Sequence, residues 1–194
     1  FLFHDSGNSV TPREETITLG AHSRGGLSIA DMGIPVSSEF GVLYRSDVPV
    51  AVTASVYGGS DATGVSAATE AATVWDFGEG FMSRARAGKG VTEDIYVFNP
   101  TSKAVDVTVE FFTTSGQTIS VNERISAGTM RDIKVHEFTQ MLDIGSNVFY
   151  GMRVTSSNVV AAGFQHWDRD MGGGFSSLGI ASGSVMSMMD ALAI

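Results

Sequence analysis

Apolar and polar residues alternate along most of this chain, a pattern typical of β-strands that bury one face. The clearest case is Val105–Phe112, in which Val105, Val107, Val109 and Phe111 fall on the same face. Glycine, proline, asparagine and serine separate such segments and predict tight turns between them. Further strands are predicted at Glu15–Leu19, Gly26–Ile29, Gly41–Arg45, Val50–Tyr57, Ile95–Phe98, Thr118–Arg124, Arg131–Val135, Asn147–Thr155 and Val159–Trp167.

Helix is sparse, and only His136–Leu142 is predicted to form one turn or slightly more. Short strands repeated at intervals of about 8 to 12 residues are typical of antiparallel sandwiches. Apolar residues make up 43% of the 194 residues and charged residues 17%, which is enough apolar material for a packed core. We therefore predict an all-β protein built from two tandem Ig-like antiparallel β-sandwich modules.

The alternating pattern occurs twice along the chain. Each residue of Leu19–Met32 lies 106 positions before its counterpart in Ile125–Phe138, and apolar residues coincide, as at Leu27 and Ile133. A period this long indicates tandem domains, because solenoid repeats are typically about 20 to 50 residues. Shorter matches flank this segment: Phe3–Gly7 with Phe112–Gly116, Phe40–Gly41 with Tyr150–Gly151, and Gly64–Val65 with Gly179–Ile180.

The repeat predicts an incomplete first module at residues 1–72 and a second module at residues 73–194, with an apolar tail at 182–194. The first copy has no counterpart of roughly Trp75–Val109 and so lacks its opening strands. An incomplete sandwich exposes sheet edges that need cover. Three explanations stay open: the chain is a fragment of a longer protein, another subunit supplies the strands, or the tail fills the gap.

Charge and composition exclude several classes of binding partner and site. The net charge is −9, from 21 acidic and 12 basic residues, and no basic patch appears, so nucleic acid is not an expected partner. The absence of cysteine excludes a disulfide framework and a thiolate zinc site. The weakly polar segment Leu178–Ile194 is too short and too polar for a membrane span. Because the chain begins at Phe1 rather than Met, we expect a removed signal peptide and a bacterial extracellular or cell-surface location.

Several short motifs lie in the second copy. They are Trp75-Asp-Phe-Gly-Glu-Gly80, Ile95-Tyr-Val-Phe-Asn-Pro100, Val107-Thr-Val-Glu-Phe-Phe112, and Ser157-Asn-Val-Val followed by Trp167. Together they resemble a repeated, poorly characterised β-sandwich module of bacterial secreted and cell-surface proteins. The resemblance implies an exported array used for structure or adhesion, and it carries over no catalytic residues. The first copy departs from it by lacking the opening Trp-x-Phe-x-Glu-Gly motif.

Candidate chemistry is limited. No His-x-x-x-His, His-Glu-x-x-His or Gly-x-Ser-x-Gly motif is present, so we predict a protein that is not an enzyme. Asp168 and Asp170, followed by three glycines, resemble part of a calcium loop, although a solvated hairpin loop is the preferred interpretation. Asp76 and Glu79 would suit an acid–base pair, but the favoured hypothesis is that Trp75 and Phe77 fill the core and Glu79 caps a turn. No other cofactor is expected.

Two apolar groups are candidate binding surfaces. Trp167, Phe164, Tyr150 and Phe149 would line a carbohydrate-binding platform if they faced solvent, although aromatic residues in alternating strands more often fill a core. The methionine-rich tail adapts to irregular grooves and packs either on its own domain or on a neighbour. Its candidate partner-binding residues are Val185, Met186, Met188, Met189, Leu192 and Ile194.

These features predict a non-enzymatic, exported structural or adhesive protein, such as a subunit of a surface filament or layer. It would associate with itself or with other envelope proteins through sheet edges and the apolar tail. The alternative hypothesis is a carbohydrate- or calcium-dependent binding module of a larger secreted protein.

Overall fold

The computed structural model of this protein describes residues 2–5, 13–32, 40–58, 61–87 and 89–182. The short helix α1 (Thr139–Ile144) follows a 3-10 turn at Val135–Glu137, and the rest of the regular structure is β. The strands are β1 (Leu2–Asp5), β2 (Arg13–Glu14), β3 (Phe40–Leu43), β4 (Thr53–Gly58), β5 (Asp61–Ser66), β6 (Ala72–Ser83), β7 (Val91–Phe98), β8 (Val105–Thr113), β9 (Thr118–Ile125), β10 (Met130–Lys134), β11 (Asn147–Asp168), β12 (Gly173–Leu178) and β13 (Ile180–Ala181).

Strands β6 to β13 form an antiparallel sandwich. We call its first layer sheet A, with strand order β9-β8-β11-β6-β13, and its second layer sheet B, with strand order β10-β7-β11-β12. The predicted all-β, sandwich-like fold is confirmed.

The long strand β11 belongs to both sheets. Its first half pairs with β6 and β8 in sheet A, and its second half pairs with β7 and β12 in sheet B. The pairing with β6 shifts register between Thr155 and Val160, where the strand passes from one layer to the other. The indole Nε1 of Trp75 donates a buried hydrogen bond of 2.8 Å to the Val160 carbonyl and so ties β6 to this crossing.

The core fills the space between the two sheets. Alternate residues of β8 point inward, as the sequence pattern predicts, and the side chains from sheet B meet them there. Burying such side chains contributes about 1.5–3 kcal/mol each. Core residues include Trp75, Phe77, Ile95, Val97, Val105, Val107, Val109, Phe111, Ile133, Val148, Tyr150, Met152, Val154, Val160, Ala162 and Phe164.

The first part of the chain forms a small sheet with order β2-β1-β3 and the hairpin β4–β5. Both contact the sandwich. Strand β5 lies beside β12, and a Cβ built on Gly41 would come within 2.6 Å of the Phe98 ring. Tyr44 also donates a hydrogen bond of 3.2 Å to the Ala68 carbonyl.

The sheet β2-β1-β3 has the strand order of β9-β8-β11. Phe3 pairs with Arg13 on β2 and with Val42 on β3, and Phe111 takes the equivalent place between β9 and β11. The pairing therefore relates Phe3 to Phe111, one position away from the Phe112 that the sequence match suggests. The bounds of the two predicted modules, 1–72 and 73–194, stay a prediction.

Most predicted strands are confirmed, and two in the first copy are wrong. Glu15–Leu19 has irregular backbone, and Gly26–Ile29 has irregular backbone that enters a turn at Ile29. In the second copy, the counterpart of Glu15–Leu19 pairs with the nine-residue strand β8, and the counterpart of Gly26–Ile29 pairs with β7. The described part of β1, by contrast, pairs on this side only with Arg13 and Glu14. Without a continuous ladder beside it, an alternating segment does not form a strand.

Candidate functional site

A shallow groove opens on the outward face of sheet A, where β6, β8 and β11 lie side by side. Its volume is about 340 Å³. The side chain of Phe149 is 55% exposed and that of Phe112 is 43% exposed, and both rings line the groove. Phe81 packs against Phe149 with ring centroids 4.8 Å apart. The groove is therefore an aromatic surface that solvent can reach.

A β-bulge in β6 shapes the floor of this groove. Tyr150 pairs with Gly80 and Met152 pairs with Phe77, so two β6 residues lie opposite the single β11 residue Gly151. Such a bulge kinks the strand and redirects its side chains. The two bulge residues are Gly78 and Glu79, and both line the groove. Backbone therefore forms much of the floor, and an exposed carboxylate lies at the side.

A buried polar cluster lies on the inner side of the same region. Glu93 of β7 is fully buried, and its Oε1 accepts a hydrogen bond of 2.8 Å from the Phe81 amide. Nδ1 of His166 lies 2.8 Å from the same oxygen, and the Tyr150 hydroxyl donates to Oε2. Burial raises the pKa of Glu93, and the hydrogen bonds from His166 and Phe81 oppose that effect only in part. The cluster links sheet B to the groove, since Tyr150 also lines the groove.

The Trp-x-Phe-x-Glu-Gly motif has a structural role at each apolar position. Trp75 and Phe77 are in the core, as predicted. A Cβ on Gly80 would overlap the ring of Tyr150, so the final glycine makes room for the cluster tyrosine. Glu79 does not cap a turn: it lies exposed in the bulge of β6.

Asp76 pairs with Arg153 across the outward face of sheet A. The guanidinium donates two hydrogen bonds, of 2.7 and 3.1 Å, to the Asp76 carboxylate, and Ser182 adds a third of 3.0 Å. The hydrogen bond with Arg153 lowers the pKa of Asp76. Partial burial opposes this effect, and the hydrogen bond from Ser182 adds to it. Asp76 and Glu79 therefore have different environments, and the acid–base pair considered from sequence gains no support from this geometry.

The Asn-Pro motif is explained by one buried side chain. Nδ2 of Asn99 donates to the carbonyls of Lys103, Ser126 and Ile125 at 2.8, 3.0 and 3.3 Å. Its Oδ1 accepts from the amide and the hydroxyl of Thr101, at 3.0 and 2.7 Å. One amide therefore holds the β7–β8 loop against the β9–β10 loop.

Asp168 and Asp170, the calcium candidates, both contact Arg86. Nε of Arg86 donates to Asp170 at 2.9 Å, and its Nη2 donates to Asp168. Asp168 also accepts from the amide of Met171 at 3.0 Å. The two acids thus lie at a hairpin loop around a guanidinium. Within residues 13–32, 40–58, 61–87 and 89–182, no three His, Asp or Glu residues converge in a way that could hold a metal ion.

The four aromatic residues proposed as a carbohydrate platform do not lie together. Phe164 and Tyr150 are buried, Trp167 is half-buried in sheet B, and Phe149 alone is strongly exposed. The groove aromatic that sequence reasoning missed is Phe112. The sequence contained a sign of this position. The inward-facing residues of β8 are Val105, Val107, Val109 and Phe111, so Phe112 is an apolar residue on the outward face.

Apolar side chains are also exposed in the first part of the chain. Tyr57 is 81% exposed at the end of β4. In the sheet β2-β1-β3, strand β3 has one described ladder, which it forms with β1. The equivalent stretch of β11 pairs with both β8 and β6. Exposed apolar residues there are Leu19, Val42, Val48, Val50, Val56 and Tyr57. The candidate partner-binding tail residues, from Val185 to Ile194, lie outside the described residues.

No protein-family model matches this sequence, and no curated protein matches it either. A solved structure does share its fold: the crystal structure of Thermotoga maritima 1070 superposes with a TM-score of 0.51 at 14% identity. The match covers 59% of this chain and 97% of the Thermotoga chain. It supports a shared β-fold and nothing about activity. No helix among the described residues is long and apolar enough to cross a membrane.

Proposed function

We propose that this protein is a non-enzymatic, exported structural protein that assembles by adding strands to its open sheet edges. The observation that carries the proposal is the second edge of β3. Among the described residues, Gly41, Val42 and Leu43 of β3 have a ladder to β1, whereas the equivalent stretch of β11 has ladders on both sides. A strand from a second copy of the chain would take the place that β6 has in the sandwich.

The chemistry of the edges supports this assignment. Soluble proteins protect sheet edges with charged residues, proline or bulges, because unpaired backbone groups recruit other strands. Strands β3 and β4 contain no charged residue and no proline. Every described side chain of β4 is exposed, including Val56 and Tyr57. Within the described residues, these strands therefore combine a ladder on one side with apolar side chains, which is the combination that strand addition uses.

Net charge is compatible with controlled assembly. A charge of −9 keeps separate copies soluble through mutual repulsion. Assembly should then strengthen as salt screens that repulsion, since the Debye length falls to about 8 Å at physiological ionic strength.

The test compares lysine substitutions at two valines whose side chains are equally exposed. Val42 on β3 and Val159 on β11 are each 37% exposed, and a lysine at either adds one positive charge. Sedimentation equilibrium of the wild type should show concentration-dependent association. Val42→Lys should weaken that association at least about tenfold, because a lysine on an edge strand opposes pairing, and Val159→Lys should leave it unchanged.

Circular dichroism and thermal melting show whether each variant is folded. For a folded wild type, hydrogen exchange at the β3 amides should slow as protein concentration rises. A folded wild type that stays monomeric at high concentration and high salt would overturn the proposal, and so would equal effects of the two lysines.

A further inference from the structure

The groove on sheet A has the chemistry of a binding site for a cation. Two exposed phenylalanine rings, Phe112 and Phe149, form its apolar surface. Among the described residues that line it, one side chain is acidic, Glu79, and none is basic. The face of an aromatic ring is electron-rich and attracts cations, most strongly those that are weakly hydrated. The phenylalanine rings and the Glu79 carboxylate thus both favour a positively charged ligand.

The groove offers few side-chain hydrogen-bonding groups to a neutral sugar. Among its described lining residues, the exposed Thr114 hydroxyl could bind a ligand, whereas the hydroxyls of Thr113 and Tyr150 are engaged within the protein. Thr113 lines the groove, but its hydroxyl already donates to the Gln117 carbonyl at 3.0 Å and accepts from the Gln117 amide at 3.1 Å. A sugar needs several free polar groups placed around a stacking ring, whereas a quaternary ammonium group needs none. Gly78 and Gly151 place backbone on the floor and leave room for a bulky head group.

We propose that this groove binds a small organic cation of the quaternary or alkylated ammonium class. Phe112 and Phe149 would contact the alkylated head group through their ring faces, and Glu79 would supply the opposite charge. The negative charge of the whole protein favours the same class of ligand.

The test uses choline and its neutral isostere 3,3-dimethyl-1-butanol, which has the same shape with carbon in place of nitrogen. Two-dimensional NMR titration reports where each one binds. Choline should shift the amide signals of Gly78, Gly80 and Gly151, and the isostere should bind about tenfold more weakly because it lacks the charge that the rings attract.

Two acid-to-amide variants separate the site from the overall field. Glu79→Gln removes the groove carboxylate, and Glu137→Gln removes an exposed carboxylate outside the groove, with the same change in net charge. Choline affinity should fall at least about threefold in Glu79→Gln and stay unchanged in Glu137→Gln. Phe149→Leu keeps the groove apolar but should abolish the preference for choline over its isostere.

Equal binding of choline and the isostere would overturn the proposal, as would shifts outside the groove or no binding. Saturation by a neutral monosaccharide at these residues, without a response to choline, would also overturn it. The result is independent of strand assembly, because Val42→Lys changes β3 and leaves the groove residues in place.

Discussion

Nδ1 of His166 lies 2.8 Å from Oε1 of the fully buried Glu93. Burial raises the pKa of Glu93 above its ordinary value of 4.5, so the folded protein holds this proton more tightly than the unfolded chain does. The contribution of the protonated carboxyl to stability is complete below the unfolded pKa and is lost as pH rises through the folded pKa. The titratable groups His166, Asp94 and Tyr150 act on it, His166 and Tyr150 through hydrogen bonds and Asp94 through its charge.

Replacing Glu93 with glutamine removes that titration. The free energy of unfolding of the wild type minus that of Glu93→Gln should fall as pH rises from below 4.5 toward neutrality. Each unit by which the pKa is raised accounts for about 1.4 kcal/mol of this fall. Urea denaturation across pH measures it, with Glu137→Gln as the exposed control. A difference that stays constant or increases with pH would contradict the assigned shift.

Asp168 should show the opposite dependence on pH. Burial acts to raise its pKa, but the Met171 amide and Arg86 outweigh that effect, and the pKa lies below its ordinary value of 3.8. Its stabilising contribution is present above the unfolded pKa and is lost as pH falls through the folded pKa. Asp168→Asn should therefore destabilise the protein at pH 7, and the difference should vanish in acid. Asp170→Asn, at a more exposed carboxylate, should have a smaller effect at pH 7 in the same denaturation series.

Gly78 and Gly80, which flank Glu79 in β6, give a matched test of the packing at the bulge. A Cβ on Gly80 would overlap the Tyr150 ring, whereas a Cβ on Gly78 meets nothing within 4 Å. Gly80→Ala should cost about 1–3 kcal/mol, as overpacking of a core does. Gly78→Ala should cost far less when both are measured by urea denaturation. Similar costs for the two alanines would contradict the packing described at Tyr150.

The loop-joining role of Asn99 can be tested with an isosteric change. Asn99→Asp replaces the donor that serves three carbonyl oxygens with a carboxylate oxygen, so buried acceptors would face negative charge. The loss in stability should be at least about 1–3 kcal/mol at pH 7. Asn122 accepts from the Thr108 hydroxyl at 2.8 Å on an exposed face, and Asn122→Asp keeps that acceptor. Thermal melting should therefore show a large decrease in Tm for Asn99→Asp and little change for Asn122→Asp.

Some site residues carried a signal in the sequence. Glu93 is an acidic residue in phase with Val91, Ile95 and Val97, so alternation placed it among inward residues. Phe112 interrupts the polar phase of β8 in the same way. Neither position reveals what it meets in the fold, because His166, and Phe149 as the second exposed ring of the groove, lie far along the chain. Periodicity assigns a face, and only the packing of strands assigns a neighbour.

By itself, the sequence determined the strands β8 and β9, most of β10, the turns that join them, and hence the all-β class, because alternation and turn residues act locally. The tertiary structure decided that β11 serves both sheets, that Glu93 meets Tyr150, and that a bulge opens a groove beside Phe149. It also decided that Glu15–Leu19 forms no strand. These outcomes depend on which distant backbone lies alongside, and hydrogen-bond ladders form only where a partner strand is in reach.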